Sequence, residues 1–257
     1  MASSSSPSLA TPSCPDAEWQ LRCDLAALYR LAAKFGMDDI IYTHISARLP
    51  DDHDHFLINP FGVLFKDITA SRLVKIDKTG RIVDPAMAEV RVNPAGFNIH
   101  SAVHMARAEL TCVIHAHTTA GMAVSAQAHG LLPITQHAMM FFEKIGFHDY
   151  ESFATQGDER ARIAADLGGH DILILRNHGV LVGGRSIGEA FHTAYHLERA
   201  CQAQIMALSG GTALHTPPVE VARATAARMA AIPPHHYDFF WTSCLGLLSA
   251  EDGDYRC

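Results

Sequence analysis

Two short histidine segments, about sixty residues apart, contain side chains that could bind a metal ion. His115-Ala116-His117 follows the apolar run 112–114, and Asn177-His178-Gly179 follows the apolar run 172–175. Because side chains alternate along an extended backbone, His115 and His117 should lie on the same side of it. A third imidazole from a neighbouring strand would complete a pocket of three nitrogens, which is the open coordination of a catalytic divalent metal. The spacing therefore predicts a metal site of His115, His117 and His178.

The competing interpretation is that these histidines are structural, since 17 histidines in the chain produce some close pairs by chance. Gly179 favours the metal interpretation. A glycine at that position permits a positive φ, which would turn His178 back toward the strand ends.

Composition limits the class of protein. The 257 residues are 48% hydrophobic with a net charge of −7, which suits a sizeable core and argues against nucleic acid as a partner. No apolar run approaches the roughly 18 residues of a membrane span. Six cysteines without paired spacing favour a reduced, cytoplasmic setting. We expect a disordered tail rich in Ser, Pro and Ala over residues 1–15, which lacks the features of a secretory signal, and a single domain over 16–257.

Hydrophobic periodicity predicts interleaved helices and strands. Helices are predicted over 16–35, 97–108, 118–128, 138–145, 158–167, 187–209, 219–231 and 237–248, and strands over 40–47, 56–59, 73–77, 111–115 and 171–175. A hairpin is expected to turn at 78–80, residues 131–134 should be extended, Glu198 and Arg199 should face solvent, and His235-His236 should lie in a loop. No glycine-rich phosphate loop is present, so the pattern favours a mixed, largely antiparallel sheet covered by helices.

Five segments together resemble the class II aldolase/adducin head domain: Tyr42–Arg48, Leu57–Gly62, Asn93–His100, Val113–Thr118 and Arg176–Gly179. The resemblance extends over roughly residues 20–250, and residues 97–100 and 252–256 look most like its adducin-like bacterial branch. It implies a three-layer α/β/α sandwich around a mixed, mainly antiparallel sheet. It also implies a C4 tetramer with sites near subunit interfaces, and one divalent metal per subunit on His115, His117 and His178.

The departures from the family pattern bear on the reaction. The sugar-phosphate aldolases that the chain resembles carry a glutamate nineteen residues before the first histidine of the His-x-His pair, where it binds the metal and moves protons. That position is Gly96 here, and residues 93–100 contain no carboxylate. The hydroxyl-bearing turns that hold phosphate in those enzymes are replaced by Phe61 before Gly62, and by Ala95 before Gly96. A phosphate beside Phe61 would lose hydrogen bonds that it needs, which disfavours phosphorylated sugars.

Other side chains are candidates for catalysis or substrate binding, each with a structural alternative. His100 and His137 are candidates for the missing proton-transfer group, or else form a polar helix face and a helix N-cap region. His44 is a candidate for contacting a substrate carboxylate. The predicted substrate-binding set is His44, Ser46, Phe61, Gly62, Gly96 and Asn177. His192 and His196 share one helix face, where they would support the site, line an interface or lie half-exposed.

Three functions remain open from the sequence. The first is a metal-dependent lyase, a decarboxylase or aldolase type, that cleaves a carbon–carbon bond of a non-phosphorylated keto acid, hydroxy acid or aldehyde with Zn, Mn or Fe(II). Decarboxylation tolerates Gly96 best, because it needs no base to start it. The second is a non-haem Fe(II) oxygenase that cleaves an aromatic keto acid with O₂. The third is a non-enzymatic, adducin-like assembly domain.

We expect a small-molecule substrate, no nucleic-acid or membrane partner, and a homo-oligomer, most simply a tetramer. The small residues of helix 187–209 permit close packing. The aromatic segment Tyr237–Trp241 would leave a large apolar patch on a monomer, unless it folds back on its own core.

Overall fold

The computed structural model describes residues 14–152, 157–248 and 254–257. The predicted disordered tail therefore lies, except for residues 14 and 15, outside the described residues. The helices described are α1 (Asp16–Lys34), α2 (Pro94–Ala106), α3 (Thr119–Ser125), α4 (Gln136–Met139), α5 (Gly157–Leu167), α6 (Ile187–Ser209), α7 (Val219–Ala230) and α8 (Pro234–Leu245). The strands described are β1 (His44–Arg48), β2 (His55–Ile58), β3 (Val74–Asp77), β4 (Cys112–Ala116), β5 (Ile145–His148), β6 (Ile172–Leu175) and β7 (Gly179–Gly184).

The strands form one seven-stranded sheet in the order β3-β2-β1-β4-β7-β6-β5. Every neighbouring pair is antiparallel except β5 and β6, which run parallel. The predicted mixed, mainly antiparallel sheet is confirmed. None of the helices described is long and apolar enough to cross a lipid bilayer.

Of the three hydrophobic core clusters among the described residues, the two that share β4 lie on opposite faces of the sheet. Cys112, Ile114 and Ala116 of β4 pack with residues of α1 and α6, whereas Val113 packs with residues of α2 and α5. Alternation along β4 thus supplies both cores, as the period of a strand requires. His115 shares the parity of Val113, so its imidazole lies on the α2 side of the sheet. The helices on both faces complete the three-layer sandwich.

One buried hydroxyl joins α1 to the two strands beneath it. The Tyr29 hydroxyl accepts hydrogen bonds from the backbone N–H of Ile45, at 2.9 Å, and from that of Asn59, at 3.1 Å. Its own proton goes to the Ile45 carbonyl or to Asn59 Oδ1. This residue is fully buried, and burial raises the pKa of its phenol far above the usual range. The neutral hydroxyl therefore ties α1 to β1 and to Asn59, the residue that follows β2.

Several sequence-based boundaries were wrong for identifiable reasons. Residues 40–43 form a tight turn rather than the start of β1, with Ile40 at φ 56° and Thr43 at φ 66°. The helix predicted over 138–145 is only α4 followed by turns, and its last residue opens β5. The strands β5 and β7 were not predicted at all. Both contain glycines, which weaken strand propensity, so their pairing depends on neighbours in the sheet.

Two further expectations were wrong, one because of a tertiary contact and one because of a local helix start. Glu198 is buried rather than solvated, and its carboxylate accepts a hydrogen bond from the Thr118 hydroxyl. Burial raises the pKa of this carboxyl. His235 and His236 lie in α8 rather than in a loop, because Pro233 and Pro234 start that helix instead of breaking the chain.

Candidate metal centre

Three imidazoles converge where β4 ends and the β6–β7 turn begins. Nε2 of His117 lies 2.9 Å from Nε2 of His115 and 2.9 Å from Nε2 of His178. Within the described part of the chain, these are the only three potential ligand residues whose donor atoms all lie within 4.8 Å of one another. The predicted histidines are thus brought together, and the three nitrogens suit a borderline divalent cation such as zinc or iron.

Hydrogen bonds at the far side of two rings determine which nitrogen can bind. His115 Nδ1 donates to the Val180 carbonyl at 3.0 Å, and His117 Nδ1 lies 3.0 Å from Asp39 Oδ2. A carbonyl or carboxylate can only accept, so both Nδ1 atoms carry hydrogen and both Nε2 atoms present lone pairs. Such partners orient metal-binding imidazoles and raise their basicity. Sequence reasoning missed Asp39, since its pairing with His117 spans 78 residues without any motif.

The turn that carries His178 differs from the prediction in which residue has the positive φ. The positive φ falls on Asn177, at 57°, and not on Gly179. Gly179 is required for space, because a Cβ there would come within 2.5 Å of the Ala116 carbonyl oxygen. A glycine at the start of β7 thus lets the backbone of β4 approach closely and brings His178 beside His117.

Two of the three imidazoles, those of His115 and His178, are held neutral by their surroundings. Burial, together with neighbouring imidazoles, lowers the pKa of His115 well below its usual range and that of His178 to about 4. Metal ligation needs deprotonated nitrogens, so these two ligands have the required protonation state at neutral pH.

His44 occupies the space beside the position of the missing glutamate. A Cβ added to Gly96 would lie 2.5 to 2.6 Å from the His44 ring, a distance that real contacts do not show. His44 pairs with His115 across β1 and β4, and the two rings stack with centroids 5.9 Å apart. Both ring nitrogens of His44 are buried without a hydrogen-bond partner. The space that a side chain at position 96 would need is therefore filled by an imidazole.

A chain of polar side chains behind His44 fixes the tautomer of His100. His104 Nδ1 donates to the Leu110 carbonyl at 3.1 Å, so its Nε2 accepts the Ser46 hydroxyl at 2.7 Å. Ser46 Oγ must then accept from His100 Nδ1 at 2.6 Å. His100 Nε2 is left as a buried lone pair without a partner, edge-to-face with His44 at 5.7 Å between centroids. This lone pair makes His100 a candidate proton acceptor.

The remaining predicted residues lie at the rim. Phe61 and Gly62 are exposed, with the Phe61 ring 6.3 Å from that of Tyr42, and Gly62 has φ 92°. Asn177 is exposed in the turn before His178. Tyr42 follows Asp39 in the same tight turn, which places the aromatic rim next to the residue that holds His117.

His137 is not brought to the triad within this chain. It stacks on His196, with centroids 5.1 Å apart, in a second group on α4, α6 and α8. We define His137, His192, His196 and His236 as the helix histidine cluster. Its innermost member, His192, is buried and lines a cleft of about 580 Å³ that contains no residue of the triad.

A mixed sheet between two helical layers, with histidines converging at the strand ends, defines an aldolase-type sandwich. The chain belongs to the family described as "Class II Aldolase and Adducin N-terminal domain", whose match covers residues 23–205. The predicted family is confirmed.

Three proteins illustrate what the chain is similar to. An aldolase II superfamily protein from Pseudomonas syringae is 47% identical with a TM-score of 0.89, and the match covers 95% of this chain and 98% of that one. An L-fuculose 1-phosphate aldolase from Glaciozyma antarctica is 28% identical with a TM-score of 0.82, over 97% and 98% of the two chains. Alpha-adducin from Rattus norvegicus is 45% identical over 190 residues, which are 74% of this chain and 26% of that protein.

Proposed function

We propose that this chain is a divalent-metal-dependent lyase that cleaves a carbon–carbon bond of a non-phosphorylated keto or hydroxy acid, or of an aldehyde. His115, His117 and His178 would hold the metal. The observation that carries the proposal is the convergence of their Nε2 atoms at 2.9 Å, with Nδ1 of His115 and His117 already hydrogen-bonded. A bound divalent cation supplies Lewis-acid polarisation of a carbonyl oxygen.

Proton transfer and substrate binding are assigned to other side chains of the protein. His44 faces the site from the place of the absent carboxylate, and His100 offers a lone pair held by Ser46 and His104. We assign His100 as the proton-transfer group, with His137 as the candidate that a neighbouring subunit would have to supply. His44, Ser46, Phe61, Gly62, Gly96 and Asn177 form the proposed substrate-binding set. Position 96 carries no carboxylate base, and Asp39 bonds the outer nitrogen of His117, so a decarboxylation, which starts without proton abstraction, suits the site best.

The rim supports a substrate without phosphate. Phe61 presents a ring instead of a hydroxyl, and neither Ala95 nor Gly96 has a side chain that could donate to a phosphate. We expect turnover of L-fuculose 1-phosphate far below that of a true aldolase. The L-fuculose 1-phosphate aldolase from Glaciozyma antarctica, measured in parallel, is the reference. Comparable turnover would overturn this part of the proposal.

The second candidate is a non-enzymatic assembly domain, which the 45% identity to alpha-adducin favours. Elemental analysis of protein purified without chelator separates the possibilities. Zinc or manganese in a one-to-one ratio, together with carbon dioxide or aldehyde release from a panel of keto and hydroxy acids, supports the lyase. Iron with oxygen uptake supports an oxygenase. Protein that takes up no metal and turns over none of these acids supports assembly alone.

We also propose a homo-oligomer, a tetramer by analogy with the family, in a cytoplasmic setting. Phe240 and Trp241 pack against their own core, which accounts for two rings of the aromatic segment, but the Phe239 side chain is 73% exposed. Light scattering at micromolar concentration tests this assembly, and a monomer would contradict it.

A further inference from the structure

His44 and Gly96 share one volume, so only one of them can carry a bulky side chain pointing there. The Gly96 Cβ position overlaps three atoms of the His44 ring, at 2.5 Å to Cδ2 and 2.6 Å to Cγ and Nε2. His44 is 4% exposed and cannot retreat into solvent without leaving its stack on His115. The pair is therefore exclusive, with a ring at 44 and no side chain at 96, or a side chain at 96 and no ring at 44.

The two arrangements differ in the charge that they place at the site. Around His115, the groups close enough to act on its charge are His178, His117, His44 and His100, all of them imidazoles. The carboxylate in contact with the triad is that of Asp39, which is 43% exposed and bonds the outer nitrogen of His117. A glutamate at 96 would have added a full negative charge to the inner side, whereas His44 adds none.

We propose that the His44–Gly96 pair makes this site selective for anionic substrates, that is, for 2-oxo or 2-hydroxy carboxylates over their neutral analogues. This inference rests on the proposed function. A dication held by three neutral imidazoles keeps most of its charge, so a carboxylate near it is stabilised strongly in a partly desolvated site. His44 adds ring nitrogens with no protein partner on the same side. A neutral amide of the same shape gains neither benefit.

The first experiment tests the shared volume in metal-free protein by urea unfolding. Gly96→Ala should lower the unfolding midpoint in the wild-type background and have little effect in the His44→Gly background. Gly169→Ala is the matched control, because a Cβ at Gly169 meets nothing within 4 Å. An equal loss from Gly96→Ala in both backgrounds would overturn the exclusive pairing.

The second experiment measures binding of pyruvate and of pyruvamide to the metal-loaded protein by calorimetry. We expect the wild type to bind pyruvate at least about tenfold more tightly than pyruvamide. The exchange variant His44→Gly/Gly96→Glu restores a carboxylate and should reduce that ratio severalfold, while His44→Gly alone should keep most of it.

An unchanged ratio in the exchange variant, or a wild-type ratio near one, would overturn the inference. The same would follow if His44→Gly lost the preference as completely as the exchange variant. Metal content is measured on every sample. Absence of metal in the wild type refutes the proposed function, whereas bound metal without a preference for the anion refutes this inference alone.

Discussion

The triad and the helix histidine cluster contain similar groups at similar separations, yet only one resembles a metal site. Ring centroids lie 4.7 to 4.9 Å apart in the triad, and 4.2 and 5.1 Å apart for His192–His196 and His137–His196. In the triad the Nε2 atoms meet at a common point. In the cluster the rings lie against one another, and His192 and His196 also pack against Phe240.

The difference lies in what holds the outer nitrogens. His115 and His117 are bonded to acceptors on other segments, the Val180 carbonyl and Asp39, which turn both Nε2 atoms inward. His196 Nδ1 instead bonds the His192 carbonyl of its own helix at 2.8 Å, and His192 Nδ1 has no partner. Proximity of imidazoles is therefore a weak sign of a metal site, and the direction imposed by acceptors on neighbouring strands is a stronger one.

The largest expected effect on zinc affinity comes from removing one histidine of the triad. Removing one histidine of the helix histidine cluster provides the comparison. His178→Ala should weaken zinc binding by more than about 100-fold, since loss of an outer hydrogen-bond partner alone typically costs 10–100-fold. His196→Ala should leave zinc affinity within about twofold. Competition with a chromogenic chelator measures both, and circular dichroism checks the fold. Equal losses in the two variants would show that the clusters are not distinct.

Asp39→Asn should have the next largest effect. It keeps an acceptor oxygen near His117 Nδ1 but removes the charge that strengthens this hydrogen bond. We expect zinc affinity to fall roughly 10-fold to 100-fold. Asp38→Asn removes the same charge one residue earlier and serves as the control. If both variants bind zinc like the wild type, the Asp39 contact does not orient the ligand.

Acid should act on the helix histidine cluster through stability rather than through metal. Burial and the neighbouring His196, His236 and His137 lower the pKa of His192 to about 3. Below about pH 6.5, His192 binds a proton in the unfolded chain. In the folded chain it stays neutral until the pH falls to about 3. Stability should therefore fall by about 1.4 kcal/mol per pH unit across that window for this residue.

Urea unfolding of metal-free protein at pH 7, 6, 5 and 4 measures this effect. His192→Asn should show a shallower decline than the wild type, because its unfolded chain no longer gains that proton. Parallel declines in the two proteins would mean that His192 also takes up its proton in the folded state, which would contradict the lowered pKa of this residue.

The sequence predicted the layers, most helices and the convergence of His115, His117 and His178, because these depend on periodicity and on which side chains end a strand. It could not predict the role of Asp39, which reaches His117 through a turn with two β-branched residues at positive φ. Nor could it show that His44 fills the volume beside Gly96. Such contacts depend on how β1 lies against α2, and neither segment alone carries a signal for them.

The Tyr29 hydroxyl has a consequence for how the molecule opens. Its partner Ile45 lies between His44 and Ser46, so the strand that carries both site residues is bonded to α1 as well as to its neighbours in the sheet. The Ile45 and Asn59 amides should then exchange hydrogen with solvent only through large-scale unfolding, and at similar rates. Motions that admit ligands are therefore expected at the rim, residues 39–43 and 61–62, rather than in β1.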